Sequence, residues 1–502
     1  MPTILGLIGF NATSTSDDKL FAVHDRNITD IITGTSQAQP LKNTLNRAEF
    51  AVFLDRVWFV NGTDDSRYYT AGGSWTKTGA AARYPVAKYI QQFKTRLFIG
   101  NLTILGTNYP SRVWYSDLPK NNTITWGFEA QTNLQQAAGS AIVKSPGAQF
   151  ITYNIKAGDA FIILTGANAG EYKVSTIDSE TQITLTTNLT YSDPADSYIA
   201  GGNWFDVATD DNDSIVGFGE NSDRLLIFKN ESLWRYDGVS VKQVKGVPGT
   251  TTQRSVVNVR EFTFYFHYSG IYLYDGITSY LISRQVQDYI DGVSSGEYSS
   301  IVAWKVGTDT YRCYLKDVVN ADAEINIPKC YLDYDLSTKS WSVGKYPKHA
   351  TVSSTYLETL NTVRNTYLGT EPAVISDAGQ VFKDNDGNND GSSTTPIEWN
   401  FETIWHFPFG STIYGDFTRV DIHTKRGRGI NVLYKLYNEV PSKDWIPLGD
   451  IENTITSFDF QPSKPDSGRG IKFLFNESST NKPPIIEKIV CYGIPKTDRP
   501  VV

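Results

Sequence analysis

The sequence has 502 residues, with 29 Tyr, 25 Phe, 11 Trp and 40 Gly but one Met, three Cys and five His. Its 40% hydrophobic and 13% aromatic content excludes wholesale disorder, and its composition is not that of a collagen, a coiled coil or a disulfide scaffold. The formal charge of −8 argues against a dedicated nucleic-acid binder, because such proteins contact phosphates through basic side chains. We expect two or three domains, since one core rarely exceeds about 250–300 residues.

No stretch of the chain approaches the roughly 20 continuous apolar residues of a transmembrane helix, so no membrane span is predicted. The apolar run from Ile4 to Phe10 is short and has no basic flank, and we expect no secretory signal. Cys313, Cys330 and Cys491 form no motif. We therefore expect thiols rather than disulfides, in a protein assembled in a reducing compartment.

In chain order, the predicted elements are short strands rich in aromatic and β-branched residues, separated by Gly, Asn and Asp. Helical periodicity is nearly absent, and short helices are plausible at Asn133 to Ala141 and Arg284 to Ile290 alone. The fold class predicted from this pattern is all-β. Representative strands are Arg56 to Val60, Arg96 to Ile99, Arg224 to Phe228 and Phe262 to Tyr268.

An aromatic strand that runs into an Asp-led turn recurs along the chain. In such turns the carboxylate binds the backbone two residues on, and Gly can adopt positive φ. A period of about 40 residues with four strands per unit is typical of a β-propeller, and six or seven blades fit between Lys19 and Asp390. The turn motifs are Tyr236, Asp237 and Gly238, then Tyr274, Asp275 and Gly276, then Tyr334 and Asp335.

Two departures from this period predict further domains. Residues 145–202 contain their own strands and turns, and we interpret them as a small β-barrel inserted in a propeller loop. Two lysines and six carboxylates make this insert acidic. A polar run precedes residues 397–502, which alternate like a two-sheet β-sandwich. The propeller thus comprises residues 1–144 and 203–390.

The sequence offers little catalytic or metal-binding chemistry. Asp384, Asp386, Asn388 and Asp390 resemble a calcium loop, but Asn389 replaces its glycine and no glutamate follows at the twelfth position, so a solvated linker is favoured. The five histidines are scattered, and the basic turn Arg426 to Gly429 is interpreted as an exposed hairpin. We predict no catalytic, cofactor-binding or metal-binding residue.

A glycosidase on a propeller scaffold is an alternative, because that reaction needs two suitably separated carboxylates. Structural turn or surface positions are the favoured interpretation of each candidate. The candidates are Glu129, Asp237, Asp275 and Glu297.

A group of motifs in the middle of the chain carries a family resemblance. The motifs are Ser214 to Gly219, Asp223 to Lys229, Leu233 to Gly238, Gly249 to Ser255 and Ser269 to Gly276. They resemble those of the tail hub or nozzle proteins of short-tailed bacteriophages, also called packaged-DNA stabilisation proteins. The resemblance continues to Ile290 and covers about a quarter of the chain, and the insert departs from the simplest members.

The resemblance implies a structural virion protein rather than an enzyme, with no cofactor, assembled in the host cytoplasm. Proteins of this family form a homohexameric ring below the portal and its adaptor, extend the DNA channel, help retain the genome, and carry fibres or a plug. Double-stranded DNA would pass without specific binding. Two other functions stay open, a virion-associated glycan hydrolase and a receptor-binding or fibre-attachment module with the acidic insert as its recognition head.

Overall fold

The chain folds, in a computed structural model, into two compact units, Met1–Asn326 with Lys348–Asp384, and Ile327–Pro347 with Asn385–Val502. The structure describes residues 3–12, 17–36, 41–42, 46–77, 85–120, 124, 126, 128–346, 348–357, 364–371, 380–384, 399–403, 406–407, 414–426, 430–437, 445–451, 454–460, 466–477 and 485–496. Nearly all of the regular structure among these residues is β, as the sequence pattern predicts.

Eleven strands precede the insert, and the insert contributes six. The first eleven are β1 (Gly6–Phe10), β2 (Lys19–His24), β3 (Asn27–Asp30), β4 (Thr35–Ser36), β5 (Glu49–Val52), β6 (Arg56–Val60), β7 (Arg67–Thr70), β8 (Trp75–Lys77), β9 (Val86–Phe93), β10 (Arg96–Ile104) and β11 (Thr107–Tyr115). Those of the insert are β12 (Phe128–Gln136), β13 (Ile142–Lys144), β14 (Ala160–Ile163), β15 (Gly170–Ser179), β16 (Gln182–Leu185) and β17 (Asp193–Gly201).

The remaining elements follow in chain order. They are β18 (Asn203–Asp206), β19 (Ile215–Asn221), β20 (Arg224–Lys229), β21 (Leu233–Tyr236), β22 (Val241–Val244), β23 (Val257–Val259), β24 (Phe262–His267), β25 (Gly270–Tyr274), β26 (Ser279–Leu281), helix α1 (Gln287–Asp291), β27 (Val302–Val306), β28 (Thr310–Asn320), β29 (Ile325–Asp335), β30 (Ser340–Lys345), β31 (Ala350–Leu357), β32 (Arg364–Thr370) and β33 (Val381–Lys383). The last eight strands are β34 (Trp399–Glu402), β35 (Gly415–Arg426), β36 (Ile430–Tyr437), β37 (Ile446–Ile451), β38 (Ile455–Asp459), β39 (Asp466–Gly468), β40 (Gly470–Glu477) and β41 (Ile485–Pro495).

Six small antiparallel sheets of the first unit, together with its paired strands β27 and β28, form seven propeller blades among the described residues. The sheets are β1–β4, β5–β8, β9–β11 with β18, β19–β22, β23–β26, and β31–β33. The first strand of each blade lies next to the first strand of the following blade. β1 in turn contacts β31, and the Ile4 amide just before β1 donates to the carbonyl of Thr370 at the end of β32, so the first and last blades close the ring.

Aromatic side chains of the repeated strands fill the space between blades. Buried aromatic pairs of this kind contribute about 0.5–1.5 kcal/mol each beyond their buried area. They link the third, fourth, fifth and sixth blades in succession. The ring-centroid distances are 5.8 Å for Phe98 and Tyr236, 5.0 Å for Phe228 and Tyr265, and 4.8 Å for the stacked pair Phe264 and Tyr311.

The insert is a closed six-stranded barrel with strand order β12-β13-β16-β15-β14-β17. It interrupts the third blade between β11 and β18, which pair through Trp114 and Trp204. The barrel begins with β12, earlier than the residue 145 proposed from the sequence. The segment Asn133 to Ala141 is not the helix its composition suggested, because β12 pairs with β17 and β13 instead.

Part of the barrel wall packs directly on the propeller. Ala130 of β12 and Ile199 of β17 are buried in one cluster with Trp114 of the third blade and Trp58 of the second. The indole of Trp114 also donates to the Trp126 carbonyl at 3.2 Å. The barrel is therefore fixed to the propeller by a shared core.

The second unit contains a two-sheet sandwich, as predicted for residues 397–502. One sheet has the order β34-β40-β36-β37, and the other has β38-β35-β39 with β41 paired to β35. Side chains of β36 alternate between buried and half-buried, and Val432, Phe417 and Phe473 meet in the core between the sheets. The hairpin of β29 and β30 also belongs to this unit.

Candidate functional site at the propeller axis

A short 3-10 turn that precedes the first strand of the fifth blade carries an arginine. The turn spans Gln253–Ser255, and the Thr252 hydroxyl accepts a hydrogen bond from the Arg254 amide at its start. This local bond satisfies a backbone amide that the turn leaves without a partner. The cap thus fixes the position from which the Arg254 side chain projects.

The Arg254 guanidinium reaches three other blades. It donates to the carbonyl of Leu5 just before β1, to that of Ala48 just before β5 at 3.3 Å, and to that of Thr351 in β31 at 2.6 Å. Because these acceptors belong to the first, second and seventh blades, the side chain crosses the centre of the ring. The propeller axis is therefore occupied by a side chain at this level.

Arg254 and Glu49 form a shielded ion pair. Their Nε and Oε1 atoms are 3.4 Å apart, and the side chains are 6% and 19% exposed. Burial raises the pKa of Glu49, while the charges of Arg254 and Arg47 act in the opposite direction. Burial lowers the pKa of Arg254, and Glu49 opposes that change. Removing either partner would leave a buried charge without compensation.

A cavity of about 280 Å³ lies beside this ion pair, and we call it the axial cavity. Its lining is polar and comes from the second, third, fifth and sixth blades. Glu49 is the one carboxylate among the described residues that line it. The lining residues are Asn46, Arg47, Glu49, Asn61, Lys88, Tyr89, Thr251, Thr252, Gln253 and Ser299.

Burial at the axial cavity changes the pKa values of the groups that line it. Burial, together with the nearby Arg254 charge, lowers the pKa of Arg47 to about 10. Arg47 also donates to the Ser299 carbonyl and to the Ser300 hydroxyl. Burial raises the pKa of Tyr89 to about 12, and Glu49 adds to the effect. At neutral pH the cavity thus presents a guanidinium cation and a neutral phenol.

The first two predicted turn motifs have the same geometry in consecutive blades. The Tyr236 hydroxyl donates to the Gly238 carbonyl at 2.8 Å, and the Tyr274 hydroxyl donates to the Gly276 carbonyl at 2.8 Å. Both glycines have positive φ, 108° and 96°. The repeat seen in the sequence is therefore a repeated structural turn.

The two carboxylates of these motifs bind backbone amides. Amides of Ser240 and Val239 donate to Asp237 and lower its pKa to about 2. Burial alone would raise the pKa of Asp275, but the backbone amides of Ile277 and Thr278 donate to the carboxylate, and the pKa is lowered overall. Each carboxylate is an acceptor that closes its own turn.

Basic residues of the preceding blade hold these turns. Lys94 of the third blade donates to the Asp237 carbonyl at 3.2 Å, and Arg224 of the fourth donates to the Gly276 carbonyl at 3.3 Å. Between the fifth and sixth blades, Arg260 forms a bidentate pair with Asp309 at 2.5 and 2.7 Å. The turns thus contribute to blade-to-blade contacts.

The third motif, Tyr334 and Asp335, lies in the hairpin of the second unit. Side-chain and backbone groups of Ser337 and Thr338 donate to Asp335 and lower its pKa. The Tyr334 ring contacts Trp341 at 4.9 Å. This turn uses hydroxyl residues where the other two use glycine.

The remaining candidate carboxylates also have local partners, and neither lines the axial cavity. Glu129 is buried in β12 and accepts from the side-chain amide of Gln131 at 2.8 Å. Glu297 lies in a 3-10 turn before β27 and pairs with Lys316 at 2.9 Å. Lys316 also pairs with Glu371 at 2.9 Å. The four candidates therefore lie on separate elements.

Asp384 of the proposed calcium loop is buried and faces inward. Its Oδ2 accepts from the Trp304 indole at 2.8 Å, and its Oδ1 lies 3.8 Å from Arg312. Asp386, Asn388 and Asp390 lie outside the described residues, as does most of the Arg426 to Gly429 turn. Within the described ranges, no group of three or more His, Cys, Asp or Glu is placed to hold a metal ion.

Arg254, Glu49 and the axial cavity were not predicted from the sequence. Gly249 to Ser255 is one of the motifs of the phage tail resemblance, which assigns no role to its arginine. The available signal was a single arginine in a run of Thr, Gln and Ser, where a buried cation has no local partner. Its partners lie some 100 to 250 positions away, so only the folded ring reveals the pairing.

No family model and no curated protein matches the sequence. Solved structures that match this chain include the endosialidase of phage phi92, at 9% identity over 70% of this chain and 53% of that one, with a TM-score of 0.25. The chain thus spans about half of that enzyme's length. The designed protein Ika8 matches at 9% identity, with 76% and 96% coverage and a TM-score of 0.34.

The WD40 domain of SCAP from fission yeast matches at 8% identity, with 95% and 84% coverage and a TM-score of 0.24. Among the described residues, every helix is too short or too polar to cross a bilayer. The strand order of the sheets, rather than these matches, defines the fold of the chain as a β-propeller with an inserted barrel and a terminal sandwich.

Proposed function

We propose that this chain is a structural subunit of a short bacteriophage tail, a hub or nozzle that forms a homohexameric ring below the portal and adaptor. In this role it extends the DNA channel, helps retain and deliver the genome, and offers contacts for fibres or a plug. It acts in the virion and without a cofactor. The observation that carries the proposal is the closed propeller, tied across its axis by Arg254.

A subunit of an assembled ring must be rigid, and several contacts make this chain rigid. Asp237 and Asp275, candidate catalytic carboxylates in the sequence, close structural turns. The barrel shares a core with the second and third blades rather than hanging on a linker. These features support a part that keeps its shape under assembly.

The DNA channel of the proposed ring lies between subunits and not along a propeller axis, because Arg254 crosses each axis. Six copies would carry a formal charge of −48, six times −8. An acidic wall repels phosphates and would let a duplex slide without sticking.

A glycan hydrolase is the competing proposal, and its active site would lie in the axial cavity. Hydrolysis of a glycoside ordinarily uses two carboxyl groups about 5–9.5 Å apart. Glu49 is the one carboxylate among the described residues of that cavity, and it is paired with Arg254. This arrangement favours the structural proposal.

Mass photometry of the purified chain separates the proposals. A hexamer would have a mass of about 336 kDa, six times 56.0 kDa, and electron microscopy of the particles should then display a sixfold ring. A chain that stays monomeric alone and with its portal adaptor contradicts the hub. Release of reducing sugar from host glycans, lost in Glu49→Gln, would favour the hydrolase.

A further inference from the structure

The third blade presents two polar groups to the axial cavity that lack hydrogen-bond partners among the described residues. They are the Lys88 ammonium and the Tyr89 hydroxyl, from neighbouring positions in β9. The stem of Lys88 packs over Gly62, which places its charged end at the cavity rim. Both groups are hydrogen-bond donors at neutral pH, since the pKa of Tyr89 is raised to about 12.

The charges around the axial cavity attract an anion. Arg47 and Lys88 line it and Arg254 lies directly behind it, against the single carboxylate of Glu49. Because Arg254 is paired with Glu49, Arg47 and Lys88 remain as two cations that line the cavity in a chain with a formal charge of −8. A concave site with such an excess concentrates anions of small size.

The remaining lining groups match hydroxyls rather than a second anionic group. Glu49 can accept a hydrogen bond from a ligand hydroxyl, and it would repel a second negative charge. The Thr251 hydroxyl and the Gln253 side-chain amide also line the cavity, but the first donates to the Tyr298 carbonyl and the second pairs with the Phe218 backbone. A volume of about 280 Å³ lies just below the roughly 300 Å³ at which pockets begin to hold drug-sized ligands.

We infer that the axial cavity binds a hydroxylated monocarboxylate of about the size of one acidic sugar. The carboxylate pairs with Lys88 and Arg47, the Tyr89 hydroxyl donates to it, and Glu49 accepts from a ligand hydroxyl. A neutral sugar lacks the group that the cations bind. Inorganic phosphate lacks the carbon-borne hydroxyls and brings additional charge beside Glu49. This binding role goes beyond the proposed tail structure and does not depend on it.

Isothermal titration of the full chain with sodium glucuronate, glucose and inorganic phosphate tests the inference. Glucuronate should bind saturably, at least about 10-fold more tightly than glucose or phosphate, because its carboxylate makes charge-assisted hydrogen bonds. Lys88→Gln should weaken glucuronate binding by at least about 10-fold, and Tyr89→Phe by a smaller factor. Lys242→Gln, an exposed lysine on the outer strand β22, is the matched control and should bind as the unaltered chain does.

Circular dichroism and the unfolding midpoint confirm that each variant is folded, and Lys88 is exposed enough that its replacement should not disturb either. Three results would overturn the inference. They are no saturable binding of glucuronate, binding of glucose or phosphate as tight as that of glucuronate, and equal glucuronate affinity in folded Lys88→Gln and Lys242→Gln.

Discussion

Replacing Arg254 by methionine should destabilise the propeller more than the same substitution of an exposed arginine does. The variant keeps most of the side-chain volume but removes the donors to Leu5, Ala48 and Thr351. It also leaves Glu49 without its ion-pair partner. Breaking a buried pair by removing one member costs about 3–5 kcal/mol. At about 2 °C per kcal/mol, the low end for large domains, the midpoint should fall by about 6–10 °C.

The pH dependence gives this prediction a distinct signature. Burial already raises the pKa of Glu49 above its ordinary 4.5, and Arg254 opposes the rise. Without Arg254 the pKa should rise further, so the folded variant prefers the neutral carboxyl. Its stability should be greatest below pH 4.5 and decrease as the pH rises through the raised pKa. The loss relative to the unaltered chain should therefore be larger at pH 7.5 than at pH 5.

Differential scanning calorimetry at both pH values measures these effects. Arg254→Met with Glu49→Gln should recover about 0.5–3 kcal/mol of the loss and abolish its pH dependence, because the uncompensated carboxylate is gone. Arg260→Met, at a half-exposed pair with Asp309, is the control and should cost about 0–1 kcal/mol. A loss below about 1 kcal/mol at pH 7.5, or an equal loss at both pH values without recovery in the double variant, would refute the reasoning.

Three further outcomes are expected. Carbon NMR should give Asp237 a titration midpoint near pH 2, because backbone amides stabilise its charged form, and a midpoint at the ordinary 3.8 would contradict the turn geometry. Asp384→Ala should lower the free energy of unfolding by about 1–3 kcal/mol, as it leaves the buried Trp304 indole without its acceptor, and an unchanged denaturation curve would exclude that role. Cys491, with a pKa raised by burial from 9.0 to about 11, should react with iodoacetamide at pH 8 about 100-fold more slowly than an ordinary thiol, and mass spectrometry would detect faster labelling.

The parts of the fold that could be predicted are those that depend on residues close together in the sequence. Tyr236-Asp237-Gly238 and its repeat at 274–276 each form a turn at the end of a strand. Their recurrence in the sequence therefore indicated the repeated blades. Alternation along Ile430–Tyr437 predicted a strand with one buried face, which the sandwich confirms. Period-2 patterns and turn residues act over a few positions, and such signals survive in a single sequence.

Other features depend on pairing between distant residues and could not be read in this way. Residues Asn133 to Ala141 are rich in Gln and Ala, yet the first of them belong to β12 because β17 supplies its hydrogen-bond partners. The role of Arg254 rests on three carbonyls, and any residue type can supply a carbonyl. The axial cavity follows from both, since it forms only where separate blades meet.

Closure of the ring between β1 and β31 also sets an order on biosynthesis. The inner strand of the first blade, β1, lies next to β5 but lacks its neighbour from the seventh blade until Ala350–Leu357 has emerged from the ribosome. At about 5–20 residues per second, that wait is roughly 20–70 seconds. Arg254 also waits for a partner, because Thr351 is the last of its three carbonyl acceptors to emerge. A nascent chain therefore carries an open strand edge for most of its synthesis, and its Arg254 lacks one of three carbonyl acceptors until Thr351 is made; a chain truncated before residue 350 never completes either contact.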